Sequence, residues 1–252
     1  MKPAAGSLSL VLLGMGRMGR MVDAVATERG HRIAGRFASA EAHAPVPAGS
    51  DVAIDFSLAD AVVANVRRCA EARCSLVLGT TGWERAPGAR GLVEATAKAA
   101  GIGVVMAPNF SFAMHLFRRI VEQAAALASG DAELDVWIEE SHHRMKADHP
   151  SGTALALAQA VMSRHRGKKQ VVTHLPDGPV AADSLVVASA RGGWEPGLHR
   201  VVLDGPEECI TLEHRARSRR AFALGAVRAA EWVRGRSGVF TLDDVLSIGG
   251  PD

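Results

Sequence analysis

Residues 8–19 read Leu-Ser-Leu-Val-Leu-Leu-Gly-Met-Gly-Arg-Met-Gly. The first six form an apolar run broken only by Ser9, the length of a strand buried on both faces. The next six fit G-x-G-x-x-G, and residues 20–29 continue as an amphipathic stretch closed by Gly30. A glycine motif between a strand and a helix has a definite physical use. Its first glycine makes the tight turn, its second lets a pyrophosphate approach the backbone, and its third lets helix and strand pack closely. The phosphate then sits at the positive end of the helix. Residues Gly14, Met15, Gly16, Arg17, Met18 and Gly19 are therefore candidate dinucleotide contacts.

Outward from this unit, short apolar runs at 31–37, 52–56, 76–79 and 103–106 alternate with helical stretches at 58–72 and 88–100. Strands separated by helices of that length give a parallel sheet covered on both faces. The pattern changes after residue 111. A long helix at 112–128 leads to a half-solvated strand at 134–140, and a second helix begins near residue 152. Strand-like runs follow at 170–174, 184–190, 198–203 and 209–214. The last two flank Asp204-Gly205-Pro206-Glu207, turn residues that predict an antiparallel hairpin. Residues 219–234 are helical again and return to the first domain. The expected architecture is α/β: a doubly wound Rossmann-like dinucleotide-binding domain over 1–110, completed by 219–252, and an α+β substrate and oligomerisation domain over 111–218 with a mostly antiparallel sheet.

Composition excludes several classes. The 252 residues carry a net charge of +2, too balanced for a chain that coats nucleic acid. Aromatics are 4%, without tyrosine, too few for a base-stacking platform. No run of 18 apolar residues is present and the start has no cleavage-site pattern, so the expectation is a soluble cytoplasmic protein without a membrane span. Three cysteines, none in a C-x-x-C pair, fit no disulfide framework. Cys69 and Cys74 read as buried thiols. His31, His43, His165, His174, His199 and His214 read as surface or loop residues.

Coenzyme choice is read at the end of the second strand, where an NAD-preferring site carries an acid. The sequence there is Ala34-Gly35-Arg36-Phe37-Ala38, with no acid before Glu41. Arg36 is placed to meet a ribose phosphate and Arg17 is a second candidate, which favours NADPH over NADH.

Residues 139–153, Glu-Glu-Ser-His-His-Arg-Met-Lys-Ala-Asp-His-Pro-Ser-Gly-Thr, concentrate titratable groups just after a strand. Metal binding through His142, His143, Asp148 and His149 is disfavoured, because adjacent histidines on a strand face opposite ways; no metal is expected. An anion and proton-transfer site fits better. Ser151 is a natural helix N-cap, and free amides at Gly152 and Thr153 suit a carboxylate. Lys146 and a histidine add positive charge, and histidine offers a proton near neutral pH.

The segment 142–154, HHRMKADHPSGTA, resembles the H-H-x-x-K-x-D-x-P-S-G-T-A signature of the dihydrodipicolinate reductases of lysine biosynthesis. In order along the chain, residues 17–19, 55–57, 79–82, 107–111 and 219–227 agree with the same family, so the likeness spans nearly all of it. The glycine loop is one residue shorter than the family's longer form. The resemblance implies reduction of 4-hydroxy-tetrahydrodipicolinate, or the dihydrodipicolinate formed on its dehydration, by NADPH or NADH. It implies His142 as proton donor, with Lys146 binding substrate and sharing an acid role. His143, Ser151, Gly152 and Thr153 would hold substrate carboxylates. Gly79, Thr80, Thr81, Ala107, Pro108, Asn109 and Phe110 would position the nicotinamide, with Arg219 near the cofactor. It also implies a homotetramer joined through the second domain's sheet. Independently of the resemblance, two domains give a cleft that can close and exclude water before hydride transfer. Other readings are another two-domain dehydrogenase, which should lack the histidine signature, a nucleotide-sensing protein without turnover, and a zinc hydrolase.

Overall fold

A computed structural model describes residues 6–38 and 44–247, so Glu41 and His43 lie outside the described residues. The chain divides into two compact units, residues 1–112 with 219–252, and residues 113–218.

The first unit begins β1 Ser9–Leu13, α1 Arg17–Glu28, β2 Arg32–Phe37, β3 Val52–Asp55, α2 Val62–Glu71, β4 Ser75–Leu78, α3 Ala89–Ala100 and β5 Gly103–Met106. It is closed by α6 Arg220–Val233, β11 Gly238–Thr241 and α7 Leu242–Ser247. The strand order is β11-β5-β4-β3-β1-β2, and every pairing is parallel. The apolar run of β1 follows from the layers. Leu10 and Leu12 enter a core with Val22 and Val25 of α1 and Ala226 and Val227 of α6. Val11 and Leu13 enter the opposite core with Val66 of α2 and Val93 of α3. A strand covered on both faces cannot alternate polar and apolar residues. The sequence reading missed β11 and α7; Val239 and Phe240 are only half-buried, as befits a sheet edge.

The second unit holds α4 Phe112–Ala128, β6 Asp135–His142, α5 Gly152–Met162, β7 Gln170–Val172, β8 Ser184–Arg191, β9 Leu198–Asp204 and β10 Cys209–Arg215. Along β6, burial alternates residue by residue. Val136 and Ile138 pack with Val121 of α4 and Leu157 of α5. The hairpin forms as expected, with Asp204 opposite Cys209. The sheet, of order β10-β9-β6-β8-β7, is mixed rather than mostly antiparallel. Pairs β6/β8 and β7/β8 are parallel, while β6/β9 and β9/β10 are antiparallel. The cause is α5, a helical crossover after β6, and a helical crossover returns the chain in the parallel sense.

Among the described residues no helix is long and apolar enough to cross a membrane. Cys69 and Cys74 are buried free thiols. Three histidines read as surface residues are buried: His31, His165 and His199. His31, between α1 and β2, links the start of β1 to α6, accepting from the Leu8 amide at 3.1 Å and meeting Glu231 at 2.8 Å.

Candidate functional site

In the first unit the glycine loop has the three-part geometry expected of it. Gly14 has φ +91°, and a Cβ there would lie 2.5 Å from the Phe56 carbonyl oxygen. A Cβ on Gly19 would fall 1.9 Å from the Gly14 oxygen, so only glycine lets α1 sit against the turn. Gly16, the N-cap of α1, has nothing within 4 Å of a Cβ position. The chain is thus tight where it must turn and pack, and open where a phosphate would approach. Met15 and Met18 pack against the core beside the loop. Arg17, the first residue of α1, is exposed and makes no ion pair among the described residues. Arg36 differs from the expectation. Its guanidinium is held bidentately by Asp23 of α1, at 2.7 and 2.8 Å, rather than standing free.

Parallel pairing brings the other candidates to the same strand ends. Phe56–Ser57 follow β3, Gly79–Thr81 follow β4 and Ala107–Ser111 follow β5, at the carboxyl edge where such sheets bind ligands. Buried Asp55 organises this edge, accepting from the Ser57 amide at 2.8 Å, Asn65 at 2.9 Å and the Thr80 hydroxyl at 3.0 Å. Thr80 therefore has its side chain committed, and Thr81 is exposed. Asn109 accepts from the Ser111 amide at 2.7 Å. The Phe110 ring is buried edge-on to Phe56, and its carbonyl packs against Gly225 of α6, where a Cβ would fall 1.7 Å from the oxygen. Pro108 is exposed and Ala107 buried. Arg219 is exposed at the N-cap of α6.

In the second unit the histidine segment leaves the end of β6 and enters α5. Ser151 caps α5, its hydroxyl accepting from the Ala154 amide at 3.1 Å. Lys146 donates to both carboxylate oxygens of Asp148, at 2.7 and 3.0 Å. That ammonium, with help from the Gly152 amide, holds the Asp148 carboxyl below its ordinary range. The Gly152 amide thus lies near a carboxylate of the chain itself. Thr153 follows in the first turn of α5. His143 follows the end of β6, its amide donating to the Glu195 carbonyl at 2.8 Å.

His142 is buried, and so are two groups to which the sequence reading gave no role. Glu140, two residues earlier on the same face of β6, is fully buried at its side chain. Its Oε1 accepts from the Ser151 amide at 2.9 Å, the Ser189 hydroxyl at 2.8 Å and Arg191 at 2.8 Å. Its Oε2 lies 3.1 Å from His142 Nδ1 and 3.7 Å from His199 Nε2. His199 also meets the Ser151 hydroxyl at 3.2 Å. Burial alone would raise the Glu140 pKa, but its donors outweigh that and hold it at about 2. Burial lowers His142, seconded by Lys146 and Arg191 and opposed by Glu140. Burial and the His142 charge push His199 down to about 4. The sequence reading had set His142 near its working pH; in this structure the neutral imidazole is favoured. A signal for His199 was present, since it shares the strand phase of Val201 and Leu203, both of which face the core.

Comparison with known proteins now decides the family. Residues 8–110 match the family model "Dihydrodipicolinate reductase, N-terminus" and residues 113–246 match "Dihydrodipicolinate reductase, C-terminus". The chain belongs to the dihydrodipicolinate reductase family. It is 34% identical over 247 residues to a 4-hydroxy-tetrahydrodipicolinate reductase of Christiangramia forsetii, covering 95% of this chain and 98% of the relative. It is 40% identical over 252 aligned positions to the enzyme of that name from Gluconacetobacter diazotrophicus, covering 92% and 94%. Among solved structures, a dipicolinate-bound dihydrodipicolinate reductase from Paenisporosarcina sp. TG-14 shares the fold, with a TM-score of 0.73 at 21% identity, covering 93% of this chain and 97% of the other.

Proposed function

We propose that this reductase reduces 4-hydroxy-tetrahydrodipicolinate, or dihydrodipicolinate, to tetrahydrodipicolinate in the diaminopimelate route to lysine. The observation that carries the reading is the Lys146–Asp148 pair beside the α5 N-terminus. That ammonium and helix amide already hold a carboxylate, and His142 lies in the same segment. A substrate carboxylate competes with Asp148 for Lys146 and the Gly152 amide. Ser151, Thr153 and His143 complete a set suited to two carboxylates.

The glycine loop fits a pyridine dinucleotide, because Gly16 leaves open backbone at the N-terminus of α1. Bound there, the nicotinamide supplies a hydride. Gly14, Gly16 and Gly19 shape the pyrophosphate seat, and Met15, Arg17 and Met18 border it. Gly79, Thr80, Thr81 and residues 107–110 offer backbone groups along the sheet edge, and Arg219 offers a cation. The missing acid at the end of β2 favours NADPH over NADH. His142 delivers the proton that balances the incoming hydride. An incoming dianion raises its pKa from the lowered value of the free protein. We assign dinucleotide binding to 1–110 with 219–252 and substrate binding to 111–218, in a cytoplasmic homotetramer.

A coupled assay tests the reading. The preceding synthase makes substrate in situ from pyruvate and aspartate semialdehyde, and loss of nicotinamide absorbance is followed with NADPH and with NADH. Synthase-dependent oxidation is expected, faster with NADPH. Folded protein that binds NADPH yet oxidises neither coenzyme overturns the assignment.

A further inference from the structure

We propose that Glu140, His142 and His199 form a binding site for a borderline transition-metal dication, best matched by Zn2+. The three residues are buried, and their ligand atoms lie within 4.8 Å of one another. This is not the set considered from sequence. His143 is not in the cluster and Asp148 is taken by Lys146; the second imidazole comes from β9, where His199 pairs across from Glu140.

The spacing is close to what a tetrahedral ion needs. Bonds of about 2.0–2.1 Å put neighbouring ligand atoms about 3.4 Å apart. Here Glu140 Oε2 lies 3.1 Å from His142 Nδ1 and 3.7 Å from His199 Nε2. All three ligand atoms lie within 4.8 Å of one another, so the imidazoles must turn inward to complete the set.

A second observation points to a ligand. Glu140 Oε2 and His142 Nδ1 are buried and near each other, yet neither completes a hydrogen bond. A carboxylate and an imidazole N–H that served only each other would be in line at that distance. Meanwhile three donors saturate Oε1 and fix the carboxylate plane. That is the support metal-binding carboxylates receive from the groups behind them.

Nearby cations are partly offset: Lys146 is paired with Asp148, and Glu140, the one anion of the set, is shared with Arg191 through Oε1. Two imidazoles and one carboxylate make a ligand set that zinc takes with a fourth position left open. Binding would cost the His199–Ser151 contact, while the Ser151 hydroxyl keeps the Ala154 amide.

The functional consequence rests on the proton-donor reading of His142. A ligated imidazole must be neutral. The ion therefore excludes the imidazolium form and stops turnover until it is removed.

The test uses the full chain stripped with chelator, titrated with Co2+ by visible absorption and with Zn2+ by calorimetry. Expected are intense tetrahedral-type Co2+ bands, one equivalent per chain, displaced by Zn2+. His199→Asn and Glu140→Gln should abolish them, with folding checked by circular dichroism. Ser189→Ala, which removes only support behind the carboxylate, should weaken binding about 10–100-fold. His174→Ala, exposed after β7, should change nothing. Absent bands, or equal binding by the His199→Asn protein, overturn the site and leave the cluster a pair that only orients His142. Binding without inhibition keeps the site and instead sinks His142 as proton donor.

Discussion

Glu140 and His199 stand directly opposite one another in the antiparallel pairing of β6 and β9, with the carboxylate Oε2 3.7 Å from the imidazole Nε2. The pair sets the acid stability of the second unit. His199 is pushed from 6.5 to about 4, so above pH 6.5 both folded and unfolded chains hold it neutral. As pH falls from 6.5 to 4 only the unfolded chain takes up the proton, and stability is lost, by up to about 3 kcal/mol. Glu140 works in the same direction lower down. Its stabilisation is present above pH 4.5 and lost as pH falls toward 2. In metal-free protein the urea midpoint should drop steadily from about pH 7 to about pH 4. His199→Asn should flatten that drop. A wild-type midpoint that is level across the range would refute the buried neutral state.

Proton delivery gives a second expectation. His142→Gln should lower kcat by about 10²–10⁴-fold with little change in KM for the nicotinamide coenzyme. Glu140→Gln acts through His142, because the carboxylate is the charge that raises its pKa. Removing that charge lowers the imidazole further, so kcat at neutral pH falls. Part of that loss should return as pH is lowered and the rate profile moves acidward. An unmoved profile would leave Glu140 with a purely structural role.

Much of this was legible in the sequence because it is local. The strand, glycine loop and helix at 8–29 each carry their own periodicity, and Gly14, Gly16 and Gly19 take the conformations their spacing requires. Ser151 caps its helix for equally local reasons. What stayed hidden is what pairing creates. Glu140 meets Arg191, 51 residues further on, and His199, further still, only after their strands come together. The sheet's mixed sense follows from where α5 returns the chain. Arg36 was read from its place at the end of β2, but Asp23, 13 residues earlier on α1, claims it.

The glycine loop allows stability and ligand binding to be separated. Gly16→Ala meets no atom within 4 Å, so the unfolding midpoint should hold to within about 1 kcal/mol, while the new methyl blocks the pyrophosphate seat and coenzyme affinity collapses. Gly19→Ala should do the reverse kind of damage. Its Cβ meets the Gly14 oxygen at 1.9 Å, so α1 must shift, and overpacking of this sort costs about 1–3 kcal/mol. Calorimetric titration with NADPH and thermal unfolding of both variants give the comparison. Equal coenzyme binding by Gly16→Ala and wild type would place the dinucleotide elsewhere.

The two arginines near the glycine loop separate the sources of coenzyme choice. Arg36 is held bidentately by Asp23, and an exposed pair of this kind contributes only about 0–1 kcal/mol to folding, so Arg36→Ala should be mild in stability. It should also leave the NADPH-to-NADH ratio of kcat/KM nearly unchanged, since the Asp23 carboxylate holds the guanidinium and partly neutralises it. Arg17 has no such partner among the described residues and sits where the helix begins. A charge-assisted contact to a ribose phosphate is worth about 1.5–3 kcal/mol, so Arg17→Ala should lower the ratio about tenfold or more. The opposite result, with Arg36→Ala erasing the preference and Arg17→Ala sparing it, would mean that the Asp23 pair opens when coenzyme binds. The single variant Asp23→Asn, with Arg36 retained, would then gain NADPH affinity, because the freed guanidinium turns to the phosphate without first breaking a bidentate pair.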